Sequence, residues 1–330
     1  MNDILTGNPN KGWALGDFDC LPEGVSGDYP RDKNCNDYSW RKARYEFYQA
    51  MTSSDQVTKE KHFENMYESL GRILHLMEDM GVPAHTRNDF TGHVDYTGFN
   101  IQDPGIPVGN LYEHYVAEQA KPGDSTYISG MTPTTIPKFD TSQEYWGNGS
   151  YTGSNPNITI TNSSGLAEYT NANFLSRYTI FTDTLSPEDT HYFPYPKESS
   201  ISNPYPHVIT AEDGKQDTVV HLNKDMDGEL INDFVGVKYF WDRLSEKGTV
   251  EDWRLSFFLD DTVHDAYAEK LIPRTIGYAA GLIDYFFRGT IEISLPEDGV
   301  YAFRDTEPPD PKTQGFNKVR LLVKNTTSTD

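Results

Sequence analysis

Residues 58–85, TKEKHFENMYESLGRILHLMEDMGVPAH, carry the strongest periodic pattern in the chain. Apolar side chains recur at Phe63, Met66, Leu70, Ile73, Leu74, Met77 and Met80, in steps of three and four. That spacing predicts a helix from Thr58 to Met80 with one stripe turned to a core. Gly81 ends it and Pro83 blocks its continuation, since glycine leaves a helix at little cost and proline lacks the amide a further turn needs. Around this stop stand His75, Asp79 and His85, two of the chain's nine histidines and one carboxylate. His75 and Asp79, four apart, project from one helix face, and the turn at Pro83 can return His85 to the same place. Gly71, one turn before His75, leaves room there. Glu78 points about 100 degrees away. Imidazole nitrogen and carboxylate oxygen are ligands that zinc takes. The same spacing also describes a helix-surface pair worth about 0.2–0.5 kcal/mol.

Outward from this segment the chain reads as mainly α. SWRKARYEFYQAM, residues 39–51, is expected to form a helix capped by Ser39. NLYEHYVAEQA opens a helix at Asn110, GLAEYTNANFL at 165–175 is helical, and the last strong helix covers about 262–287 with Pro273 inside it. Residues 1–38 and 86–108 read as loop. Residues 121–161, rich in Gly, Ser, Thr, Asn and Pro, read as a surface insertion; they carry Asn148 and Asn157, and Asn162 follows, each opening a formal glycosylation triplet. Strands are expected in HVITAE, TVVHLN and VGVKYF, and again beyond Gly289 in TIEISL and KVRLLVKN, where the pattern alternates. The expected organisation is a helical domain over 1–288 and a β segment over 289–330, the latter a possible start of a further β domain.

The 330 residues hold 28 Lys plus Arg against 50 Asp plus Glu, a net charge of −22. Such a surface repels phosphate backbones and anionic membranes at long range, so a phosphate-ester substrate would need a bound cation. Cys20 and Cys35 match no zinc knuckle or redox pair; one disulfide closing a loop of about 15 residues, worth roughly 3 kcal/mol, and two free thiols are both open readings. Composition leans towards an extracellular or cell-surface life. NDILTGNPNKGW after Met1 has no basic start or apolar stretch, so no secretory signal is read there, and a mature form, a shortened one or a late start of a larger polypeptide is expected. IGYAAGLIDYFF is too short and too charged to anchor the chain in a bilayer.

The arrangement Leu70-Gly71-x-x-Leu74-His75-x-x-x-Asp79-x-x-x-Pro83-x-His85 resembles the core of the zinc-dependent phospholipase C and single-strand nuclease family. The resemblance covers residues 38–120 and takes in GLAEYTNANFL and the helix ending GLIDYFFRG, but not the family's N-terminal ligands. In the family a His-x-x-x-Glu segment opens the next helix; here Glu113 falls on the glutamate and Gly109 on the histidine, with His93 or His114 as possible substitutes. Asp3, Asp17 and Asp19 are possible N-terminal remnants, while His62 lies on another face. The resemblance implies a helical bundle of phospholipase C type and zinc held by His75, Asp79, His85 and Glu113. Asp79 would belong to a metal-bridging part, and His85 and Glu113 would hold the remaining metal. It also implies hydrolysis of a phosphodiester in a phospholipid or in single-stranded nucleic acid. A non-catalytic surface module that keeps the scaffold is the alternative.

NKDMDG, from Asn223 to Gly228, imitates a calcium-loop start, but its twelfth position is Phe234 where a bidentate glutamate is needed. His191, His207, His221 and His264 read as isolated structural histidines.

Overall fold

In a computed structural model the described residues are 14–15, 36–87, 89, 110–121, 126–131, 134–135, 138–147, 164–177, 201–210, 216–225, 229–238, 257–289, 291–299, 302–304, 316 and 318–326. Cys20, Cys35, His93, Gly109, His191, the three N-terminal aspartates, the first two glycosylation triplets and Asn162 and Ser163 of the third lie outside them.

Ser39 starts α1 (Trp40–Thr52), its hydroxyl accepting the Lys42 amide at 3.2 Å. The long helix α2 (Gln56–Asp79) begins two residues before the expected start, because Asp55 is a better cap than Val57: its carboxylate accepts the Thr58 amide at 2.8 Å. With only Ser53, Ser54 and Asp55 between them, α1 and α2 form a helical hairpin. The Glu46 carboxylate and His62 Nδ1, 2.7 Å apart, join the two helices. Met66, Leu70, Ile73, Met77 and Met80 are buried as the periodicity requires, with Ser69 among them. Phe63 and Leu74 sit half-buried at the edges of the stripe.

At the helix stop Met80 is still right-handed (φ −70, ψ −13), and Gly81 does not adopt a positive φ. Its need for glycine is one of approach: a β carbon there would collide with the Thr275 side chain of α7 (Asp261–Phe287). Pro83 then does more than stop a helix, since it is the first residue of the one-turn helix α3 (Pro83–Thr86), where a missing amide is harmless. Further along come α4 (Leu111–Gln119), α5 (Thr126–Ser129), a 3-10 turn at Ser142–Tyr145 and α6 (Leu166–Asn173). Pro273 stands inside a continuous α7.

Within the stretch read as a surface insertion, Tyr145 and Trp146 are core residues, Trp146 only 1% exposed. Large aromatic side chains outweigh the polar composition around them. Gly165, which caps α6, lies so close to the Trp146 carbonyl and the Gly147 amide that a β carbon would overlap both. Backbone cannot move aside as a flexible side chain can, so Gly165→Ala is expected to destabilise the protein by about 1–3 kcal/mol, measurable by urea unfolding.

β1 (Ile201–Thr210), β2 (Gln216–Lys224), β3 (Ile231–Lys238) and β4 (Phe257–Phe258) form one antiparallel sheet in that order. Each of the first three starts earlier than its expected segment, because local alternation understates a strand that pairs on both sides or bears a bulge. Lys224, 0% exposed, donates to Asn173 Oδ1 at 2.9 Å and to the Glu229 carbonyl at 3.0 Å. The Glu229 carboxylate accepts from Tyr169 at 2.8 Å and pairs with Lys270 and Arg274 at 3.3 and 3.7 Å. These contacts tie α6, the β2–β3 end of the sheet and α7 together.

The chain divides into compact units at Met1–Leu282 and Ile283–Asp330, a few residues before the boundary expected at 288. In the second unit β5 (Ile291–Ser294) pairs with β8 (Leu322–Asn325), and β6 (Ala302–Phe303) with β7 (Lys318–Val319), both antiparallel. The fold class is mainly α with a few strands, as the sequence predicts.

Candidate metal centre

Asp79 is the last residue of α2, His85 lies in α3, and Glu113 stands in the first turn of α4. Asn110 caps α4 by accepting the Tyr112 and Glu113 amides at 3.1 and 3.5 Å, which fixes where Glu113 begins. A carboxylate in the first turn also faces the positive end of the helix dipole. Because α3 turns the chain back, the largely buried His85 lies between the two acids. Its Nδ1 is 3.8 Å from Asp79 Oδ1, and its Nε2 is 3.1 Å from Glu113 Oε1. His75 Nε2 stands 4.0 Å from the same Asp79 oxygen on the exposed side of the helix, with 74% of its side chain in solvent.

The four residues singled out in the sequence form a chain of pairwise contacts, His75 to Asp79, Asp79 to His85 and His85 to Glu113. In a tetrahedral zinc site neighbouring ligand atoms are about 3.3 Å apart, given metal–ligand bonds of about 2.0–2.1 Å. The 3.1 Å separation is close to that, while 3.8 and 4.0 Å exceed it. His85 presents different ring nitrogens to its two carboxylates, so both acids and one nitrogen do not face a single point. Accordingly, among the described residues no group of three or more His, Cys, Asp or Glu side chains is arranged to hold a metal. The donor types fit zinc; as placed, they converge in pairs.

His114 does not join them and pairs with Glu118 along α4 at 3.7 Å. His62 is engaged with Glu46. A small cavity of about 20 Å³ lies against the segments that carry His85 and Glu113, with Pro83, Ala84, Asn110, Tyr112, Ser176 and His264 in its wall. That is room for about one water molecule. At the other end of α4 an open depression of about 680 Å³ is lined by Glu118, Lys121 and Tyr127 among others. Tyr115 and Tyr127 both donate to Asp265 Oδ1 at 3.0 Å. Burial, with the Asp265 carboxylate beside it, pushes the Tyr115 hydroxyl up to about 12.

A second polar cluster was not legible in the sequence. His221, fully buried on β2, places Nε2 at 3.1 Å from Asp260 Oδ2 and Nδ1 at 3.9 Å from Asp233 Oδ1. Asp260 also accepts the Val263 amide at 3.1 Å and so caps α7. Burial pushes the Asp260 carboxyl up, but the His221 contact and the Val263 amide together hold it below the usual carboxylate value. Asp233 sits at φ 52, a left-handed conformation that aspartate tolerates better than most residues. His264, in the first turn of α7, is buried against the Tyr112 and Tyr115 rings. Burial lowers its imidazole to about 4, partly offset by Asp260. The sequence places these residues on three separate elements, and the pairing of β2 with β3 together with the start of α7 brings them together.

No protein-family model, no curated protein and no solved structure matches this chain. Among the described residues no helix is long and apolar enough to cross a membrane.

Proposed function

We propose that this chain is a zinc-dependent phosphodiester hydrolase of phospholipase C-like or nuclease-like type, acting outside the cell or at its surface. The observation that carries the reading is the meeting of His85 with Glu113 at 3.1 Å and with Asp79 at 3.8 Å, beside His75. His85 Nε2 and Glu113 are the donors suited to one zinc ion, and His75 and Asp79 the donors on the far side of the imidazole. When bound, zinc polarises a phosphoryl oxygen and brings the pKa of a bound water towards neutrality. Glu113, at the N-terminal end of α4, is held by the Asn110 cap. Two carboxylates in a chain of net charge −22 repel a phosphodiester, so attraction must come from the cation. The substrate is a phosphate ester, either a phospholipid head group or single-stranded nucleic acid.

The second reading, a non-catalytic surface module on the same scaffold, is favoured by one observation: the described residues converge on a metal only in pairs. A single experiment separates the two. The full chain supplied with zinc is expected to hydrolyse bis(p-nitrophenyl) phosphate, and His85→Ala to lose at least about 100-fold of that rate while keeping its circular dichroism. A wild-type chain that takes up zinc yet cleaves no phosphodiester would make the surface module the correct reading.

A further inference from the structure

We infer that Asn171 of α6 is a positioning residue for His85, an inference that rests on the metal-site reading above. His85 belongs to a helix of four residues, and a single turn does not hold itself in water. Its last carbonyls have no partner within the helix and must find one elsewhere. Asn171 Nδ2 supplies it, donating to the Thr86 carbonyl at 2.7 Å. Arg87 closes the exchange in the other direction: its NH1 donates to the Asn171 carbonyl at 2.7 Å and lies 3.5 Å from Asn171 Oδ1. Asn171 is 7% exposed and Arg87 1%, so the exchange takes place away from water.

Asparagine is suited to this place because its amide offers a donor to Thr86 while an oxygen still faces the guanidinium. An aspartate would keep the volume and the attraction to Arg87 but set an acceptor against the Thr86 carbonyl. A leucine would lose the bond to Thr86 and the Oδ1 contact, keeping only the backbone carbonyl's bond to Arg87. The two residues held by the clamp directly follow His85, so α6 determines where the imidazole stands relative to Asp79 and Glu113. The neighbouring polar residues of α6 serve other elements. Asn173 accepts from Lys224 on β2, and Tyr169 donates to Glu229.

The test uses the full chain with Asn171→Asp, and Asn171→Ser should the first not fold. Tyr169→Phe is the control, since it removes one hydrogen bond of the same helix without touching α3. In metal-free protein the imidazole nitrogen resonances of His85 are expected to shift in Asn171→Asp and to stay in place in Tyr169→Phe. The zinc dissociation constant, read by calorimetry, is expected to rise about tenfold in Asn171→Asp alone. Unchanged His85 resonances with unchanged zinc affinity in Asn171→Asp would overturn the inference. If the wild-type chain takes up no zinc, the metal reading fails, and the metal-free resonances alone still decide whether Asn171 positions His85.

Discussion

Taking the protein from pH 7 to pH 4 is expected to remove about 3 kcal/mol of folding stability through His264 alone, at about 1.4 kcal/mol per unit of pKa shift. The side chain is 4% exposed, and its Nδ1 has no hydrogen-bond partner among the described residues. Burial penalises the charged ring and holds its pKa near 4, against an ordinary value of 6.5. Above 6.5 the imidazole is neutral in both folded and unfolded chains, and no stability is lost. Between 6.5 and 4 the unfolded chain binds a proton that the folded chain refuses, so stability falls steadily as pH falls. Asp260 acts in the same direction at lower pH: its depressed carboxyl contributes stability that is lost as pH falls below the ordinary carboxylate range. Urea unfolding of wild type and His264→Phe at pH 7, 5.5 and 4 reads the effect. The phenylalanine keeps a ring against Tyr112 and Tyr115, and the difference between the two slopes should be close to one proton. Parallel slopes would show that His264 is protonated in the folded chain.

Ile73→Ala is expected to cost about 2–5 kcal/mol, whereas Leu74→Ala, one position along the same helix, should cost less than half as much. Ile73 is fully buried in the stripe between Met66, Leu70 and Met77; Leu74 is half-exposed. Removing buried methylenes costs their transfer energy and also leaves a cavity, while a half-exposed site can relax into solvent. Chemical unfolding at pH 7 measures both. Equal losses would mean that the stripe is centred between the two positions, a rotation of about 50 degrees, which would also turn His75 and Asp79 relative to α3.

The hydrophobic stripe of α2 was legible because its periodicity is local, and so were the caps at Ser39 and Asn110. Gly81 was readable as a break but not for its reason, which is the Thr275 side chain far along the chain. Tyr145 and Trp146 were hidden by polar neighbours, although two aromatic residues side by side were a usable sign of burial. Of the site, His75, Asp79 and His85 followed from helix geometry and a proline turn, both local. Glu113 entered only through the resemblance of its segment, and the structure brings it to His85 by way of the Asn110 cap. Arg87 and Asn171 carried no local pattern: TNAN on a helix reads as a wet face, yet α6 is buried along most of its length. The His221 cluster depended on which residues β2 and β3 set opposite each other and on where α7 begins, and neither is a property of a single segment.

The most direct test of the proposed metal centre is zinc content by elemental mass spectrometry on the full chain, purified without chelator after growth with zinc, beside His85→Ala. At least one zinc per wild-type chain is expected, with most of it lost in His85→Ala. A wild-type chain free of zinc, or zinc undiminished in His85→Ala, would contradict a metal held between His85 and Glu113.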